Sequence, residues 1–219
     1  MLTEGMALLT AAGAGPHPLN GFRAGNFGAN NDTWKAMARA GLVVSSNLNL
    51  CYLSKNCQIR WPVPGNALFD TGEGVWELPV SNFREPSGQH RHLQITAISF
   101  AEMRAYLEEA HRLRIPEVTV VTHTFEMFFI DSAADRRGHA NWINVRRWQQ
   151  LCRYLDDNRD RFEVETVGAL GERLAARTAT GAGASSALTT TPVPRGQAPL
   201  HLARVFEQVI KRAAARIPL

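Results

Sequence analysis

The chain has 219 residues, 45% of them hydrophobic, and a formal net charge of +4, which suits one well-buried domain better than two. Its longest apolar runs, such as Val118 to Val121, fall far short of the roughly 20 residues that span a bilayer, so a transmembrane helix is excluded. The positive charge does not form a phosphate track: Arg146, Arg147, Arg153, Arg159 and Arg161 are interleaved with Asp156, Asp157 and Asp160, the pattern of a solvated helix face, and nucleic acid is not an expected partner.

In chain order, the first apolar run, Met6 to Leu9, follows Glu4 and has no lysine or arginine before Arg23. It lacks the basic flank of a secretory signal, and a cytoplasmic location is expected. Gly21 to Ala24 is a candidate strand. Asn31, Asp32 or Thr33 can cap a helix with Trp34, Met37 and Ala38 on one side and Gly41 at its end. Strands are predicted over Leu42 to Ser46, Val75 to Val80 and Leu93 to Ile98. Ser99 and Glu102 then form a capping-box pattern ahead of Met103, Leu107 and Ala110, and Pro116 blocks continuation. After a strand over Val118 to Thr122, the stripe Val145, Trp148, Cys152 and Leu155 predicts a third helix. Its solvated end is Asp156-Asp157-Asn158, and a strand over Phe162 to Thr166 follows.

Strand and helix patterns alternate in this way in α/β layer or barrel folds. The domain reading is one folded part over residues 1–177, a linker over 178–198 rich in Ala, Gly, Ser, Thr and Pro, and an amphipathic helix over 199–219. In that helix Leu202, Val205, Phe206, Val209 and Ile210 recur at helical spacing, which suits docking on the domain or on a protein partner. The odd set Cys51, Cys57 and Cys152 fits reduced thiols, with a Cys51–Cys57 closure left open.

Four places can carry chemistry. His123 ends the β-type run Val118-Thr119-Val120-Val121-Thr122, where barrel enzymes place catalytic groups, and imidazole is an acid or base near neutrality. A strand-end histidine bonded to a nearby carbonyl is the alternative. Arg23, flanked by Gly25 and Gly28, can hold a carboxylate through a two-pronged bond or simply satisfy turn carbonyls. Glu77, inside an apolar strand, must pair, bond or point outward, since burying a lone carboxylate is costly. His90 and His92 share a strand face, but two ligands make a poor metal site.

Phe22-Arg23-Ala24-Gly25-Asn26-Phe27-Gly28, Leu42-Val43-Val44-Ser45-Ser46, Glu77-Leu78-Pro79-Val80 and Val121-Thr122-His123-Thr124-Phe125-Glu126 resemble, in order and spacing, the later motifs of polysaccharide deacetylases of carbohydrate esterase family 4. The resemblance covers roughly Gly21 to Val167. It implies an α/β fold, an incomplete distorted (β/α) barrel lacking its first strand–helix units, and hydrolysis of the acetamide of N-acetylated sugars in a poly- or oligosaccharide. It also implies zinc or another divalent metal that activates water, His123 as the acid that protonates the leaving amine, and Arg23 as the residue orienting a catalytic aspartate. Phe27, Trp76 and Glu77 would line the substrate site.

The sequence departs from the family at its start. The paired aspartates and the histidine pair that supply base and metal ligands should precede Arg23, yet residues 1–20 contain only Glu4 and His17. At Val44 relatives tend to carry an aspartate. Without linker and terminal helix about 175 residues remain, against roughly 250 for a complete barrel. The expectation is therefore a truncated deacetylase-like hydrolase without metal ligands of its own. The alternative is a catalytically inactive carbohydrate-binding or partner-binding remnant.

Overall fold

A computed structural model describes residues 1–14, 19–62, 65–132, 137–179 and 192–214. It has two compact units: Met1–Val80 with Val164–Pro192, and Ser81–Glu163 with Val193–Leu219. His17 and most of the 178–198 stretch lie outside the described residues.

The first unit is built on a four-stranded sheet of β1 (Gly21–Phe22), β2 (Val44–Ser45), β3 (Phe69–Asp70) and β4 (Trp76–Glu77), in the order β1-β2-β4-β3. β1, β2 and β4 are parallel, and β3 runs antiparallel to β4. Helix α2 (Asn31–Arg39) makes the crossover from β1 to β2. Its cap lies one residue before the expected group: Asn30 accepts from the Thr33 N–H at 3.1 Å, while Thr33 Oγ1 accepts from the Asn30 N–H. The expected stripe does face inward, since Trp34 and Met37 are buried against Leu42, Leu48, Ile59 and Val75. Trp34 meets Trp61 and Phe69 edge-on, and those two rings stack at 4.1 Å, the offset and T-shaped arrangements that aromatic quadrupoles favour.

Two further helices belong to this unit. Helix α1 (Leu2–Ala11), over a segment to which the sequence assigned no helix, leaves Leu8 and Leu9 exposed. Residues 162–166 form no strand; an extended stretch leads into α5 (Val167–Ala179), whose Leu170 and Leu174 cover Val44, Trp76 and Leu78. Gly171 is required here, because a Cβ would stand 2.5 Å from the side chain of Asn20, which donates to the Gly168 carbonyl.

The second unit starts with the hairpin β5 (Asn82–Arg84) and β6 (His90–His92). Helix α3 (Phe100–Arg112) begins with the expected capping box, Ser99 accepting from the Glu102 N–H and Glu102 from the Ser99 N–H. Its Met103, Tyr106, Leu107 and Ala110 form the core with Leu93, Ile95 and Ile98. The strands expected over 93–98 and 118–122 reduce to one parallel bridge, Gln94 to Val121, carried by Val121 N–H to Leu93 O at 2.8 Å and Ile95 N–H to Val121 O at 3.1 Å. A hairpin of β7 (Phe128–Ser132) and β8 (Arg137–Ala140) was not foreseen.

Helix α4 (Trp142–Asp157) is where expected but partly turned: Asn144, Arg147 and Leu151 are buried; of the expected stripe Val145 is half-buried and Leu155 packs against the core, whereas Trp148 and Cys152 are exposed. Helix α6 (Ala198–Ala214) is also turned against its apolar stripe. Arg204 is buried beside Glu85 and Glu102, Glu207 pairs with Arg147 at 2.9 Å, and Gln208 donates to the Thr96 carbonyl, while Leu202 and Phe206 face solvent.

The molecule is thus mixed α/β with small sheets, and among the described residues no sheet closes into a barrel. None of the described helices is long and apolar enough to cross a membrane.

Candidate functional site

In the first unit the C-terminal ends of the three parallel strands carry one polar network. Arg23 follows β1, Ser46 and Asn47 follow β2, and Glu77 is the last residue of β4. Open α/β sheets place ligands at such strand ends. The network is built around Glu77, which has no exposed surface. One carboxylate oxygen accepts from the backbone N–H groups of Asn47 and Leu48, both at 2.7 Å; the other accepts from Trp34 Nε1 at 2.9 Å and from the Ser45 hydroxyl. Burial pushes the Glu77 carboxyl above its usual range, and these four donors oppose that shift.

Asn47 extends the network to the loop after β1, accepting from the Ala24 N–H at 2.7 Å and donating to the Phe22 carbonyl at 3.3 Å and to Ser45 Oγ at 2.9 Å. Arg23 donates from Nε to the Ser46 carbonyl at 2.9 Å and from Nη2 to the Ser46 hydroxyl at 2.7 Å. The residue as a whole is exposed, but its guanidinium is desolvated, which lowers its pKa, while the charge of Glu77 acts the other way. The following turn is strained at Phe27: Asn26 and Phe27 have φ of 52° and 57°, a region that asparagine tolerates and a bulky aromatic does not favour. It presents Phe27, stacked on Tyr52 at 5.4 Å.

This geometry revises several sequence expectations. Glu77 neither points outward nor lines a cleft; its oxygens are fully committed, which makes it a positioning residue for the 45–48 turn. Trp76 is 8% exposed, packed in the core under the Arg177 guanidinium, so its face is not free to stack on a sugar. Val44 is completely buried, where an aspartate could not be solvated. Arg23 is fixed by Ser46 rather than by a carboxylate. Phe27 alone of the three expected substrate contacts keeps a partly open ring. Ser45, Ser46 and Asn47 were not singled out for this role, although a polar triplet closing an apolar run is the signal that marks them.

In the second unit His123 stands after the bridge at Val121, on the exposed side of a tight 3-10 turn, Thr124–Met127. Its Nδ1 lies 3.1 Å from Glu126 Oε1, with the imidazole half exposed and the carboxylate 8% exposed. Glu126 also accepts from the His123 N–H at 3.1 Å and from Gln94 Nε2, and has Thr122 and Thr96 hydroxyls at 3.4 and 3.5 Å. The side chains of Asn141 and Asn144 hold the Glu126 carbonyl. An ionised carboxylate accepts only, so Nδ1 carries the proton it donates, and Nε2 is left as the position that exchanges protons with solvent or ligand. Phe125, 65% exposed, stacks on the imidazole at 5.0 Å. Glu126 was overlooked as the histidine's partner; its signal is the three-residue spacing that one turn closes.

Among the described residues no three His, Cys, Asp or Glu side chains converge as metal ligands. His90 and His92 lie two residues apart on β6, and His92 Nε2 is 2.8 Å from Gln94 Oε1. The donors described here do not fit a divalent metal, and no catalytic step is assigned to one.

The class defined so far is an α/β protein with an anchored strand-end network and a carboxylate-oriented histidine. No protein-family model, curated protein or solved structure matches the chain.

Proposed function

We propose that this chain is a polysaccharide deacetylase-like hydrolase acting on the acetamide of N-acetylated sugars, with His123 as the acid that protonates the departing amine. The observation that carries the reading is the His123–Glu126 pair: a half-exposed imidazole whose Nδ1 is fixed by a nearly buried carboxylate. That arrangement fixes the ring through Nδ1 and leaves Nε2 on the side away from Glu126, as proton delivery to a leaving nitrogen requires. The incomplete-barrel expectation belongs to the same reading, supported by parallel strands whose ends gather Arg23, Ser46 and Asn47. A divalent metal, commonly zinc in that family, would take its ligands from outside the described residues.

Acetate release from N-acetylglucosamine oligosaccharides, followed with added zinc and with chelator, is the test. Turnover should fall about 100-fold in His123→Ala, within the span of general acid catalysis, and less in Glu126→Gln. Turnover unaffected by His123→Ala removes the reading. A second reading, a non-catalytic saccharide-binding protein, is favoured by Arg23 being bonded to Ser46, which leaves it no catalytic acid to orient. It predicts binding of the same oligosaccharides without acetate release, weakened by Phe27→Ala.

A further inference from the structure

A cleft of about 720 Å³ lies beside α3 in the second unit; its lining contains none of the residues around His123, so it is independent of the proposed hydrolytic reading. Its volume falls within the roughly 300–1,000 Å³ of small-ligand sites. Its floor is apolar, from Phe83, Ala105, Tyr106 and Leu200. One wall is the strap Pro194–Gln197, which adds to the edge of β5: Arg84 N–H donates to the Pro194 carbonyl and Gly196 N–H to the Arg84 carbonyl, both at 2.8 Å. Gly196 lets the strap lie on the Phe83 ring, whose carbons would stand 2.9 Å from an added Cβ.

The carboxylates of Glu102, Glu108 and Glu109 and the guanidiniums of Arg112, Arg161 and Arg195 line the cleft, but they are not all paired with one another. Each of its three carboxylates already has a cation: Glu109 with Arg112 at 2.6 Å, Glu108 with Arg161 at 2.5 Å, and Glu102 with Arg204 at 3.4 Å, a cation it shares with Glu85. The Arg161 bond, aided by Tyr154, holds the Glu108 carboxyl down to about 2, so it remains an anion engaged with its own partner. Arg195 is exposed on the strap, and no described carboxylate pairs with it. The cleft therefore has an apolar floor and one guanidinium, that of Arg195, engaged by no described carboxylate, a donor fork suited to an oxyanion.

We propose that this cleft binds a small organic anion, its carboxylate or phosphate on Arg195 and its apolar body against the floor formed by Ala105, Tyr106 and Leu200. The test is titration of the full chain with benzoate, phenyl phosphate and neutral benzyl alcohol by calorimetry and by amide chemical shifts. One of the anions should bind with shifts confined to α3 and residues 194–200. A preference for phenyl phosphate or for benzoate identifies the headgroup. Arg195→Gln should weaken binding by about tenfold or more, worth 1.4 kcal/mol per decade. Ala105→Trp, which fills the cleft, should abolish binding, and Arg146→Gln, on the exposed side of α4, should leave it unchanged. Because the Arg195 side chain is exposed, its replacement leaves the fold intact, checked by the unchanged remainder of the spectrum. Equal binding of benzyl alcohol, unchanged affinity in Arg195→Gln, or no anion binding up to about 10 mM overturns the proposal.

Discussion

Replacing Glu77 by glutamine tests whether the strand-end network is an anchor. The carboxylate accepts four hydrogen bonds, two on each oxygen, whereas an amide offers one accepting oxygen and an NH2 that only donates. With the NH2 toward Asn47 and Leu48, two backbone N–H groups lose their acceptor. With the NH2 toward Trp34 and Ser45, the hydroxyl can rotate to accept, but the indole N–H stays buried and unpaired. The second arrangement is cheaper, leaving one buried donor at about 1–3 kcal/mol. The two backbone bonds also become neutral ones, at about 1 kcal/mol more. Relief from burying a charge offsets part of this, so Glu77→Gln should destabilise the first unit by about 2–3 kcal/mol.

Urea unfolding followed by tryptophan fluorescence measures this change, since Trp34 is one of the four donors. The pH dependence gives an independent check. With a folded pKa above the usual 4.5, the folded form holds the proton more tightly, so the contribution to stability is complete below 4.5 and is lost as pH rises through the folded value. Glu77→Gln should remove that slope. A stability change under about 0.5 kcal/mol, or the same slope in the variant, would refute the anchoring role.

Other expectations concern separate places. Gly171→Ala should cost about 1–3 kcal/mol, because its Cβ would overlap Asn20 beneath α5; Asn20→Gly in the same chain should recover part of the loss in thermal unfolding. Arg204→Ala leaves Glu85 and Glu102 without their shared buried cation and should destabilise the second unit by about 3 kcal/mol, with hydrogen exchange over 198–214 accelerating before global unfolding. The Arg161–Glu108 pair, with a carboxylate side chain 40% exposed, should matter far less: its contribution is present above 4.5 and lost as pH falls toward about 2, and Glu108→Gln should change neutral-pH stability by about 1 kcal/mol or less. A larger effect there would mean that the pair is far less screened than its exposure indicates.

Local chemistry was legible in the sequence wherever the interaction spans a few residues. The Ser99–Glu102 capping box, the Trp34–Met37 face of α2 and the histidine at the end of the 118–122 run all depend on spacings within one turn or one strand end. Three failures share a different cause. The α4 stripe through Trp148 and Cys152 predicts the wrong face because Arg147 is drawn inward by the Ile95 carbonyl and Glu207, 60 positions away. The apolar stripe of α6 faces solvent because Arg204 and Gln208 find fixed partners at Glu85, Glu102 and Thr96. The predicted strands shrink to two residues at 21–22, 44–45 and 76–77, to a single bridge between 94 and 121, and to none over 162–166, because pairing with distant segments, rather than β-propensity, decides how far a ladder extends.

The sequence by itself determined where α3 begins, to within a residue where α2 begins, and which residues can do acid–base chemistry, because caps, periodicity and side-chain type are local properties. Only the tertiary structure decided what those residues face. It turned Glu77 from a candidate surface or cleft acid into a buried acceptor, gave Arg23 a serine in place of a carboxylate, and put Glu126 behind His123. The physical reason is that burial and partner choice depend on groups brought together from distant parts of the chain, and one such contact can reverse the role that a local pattern suggests.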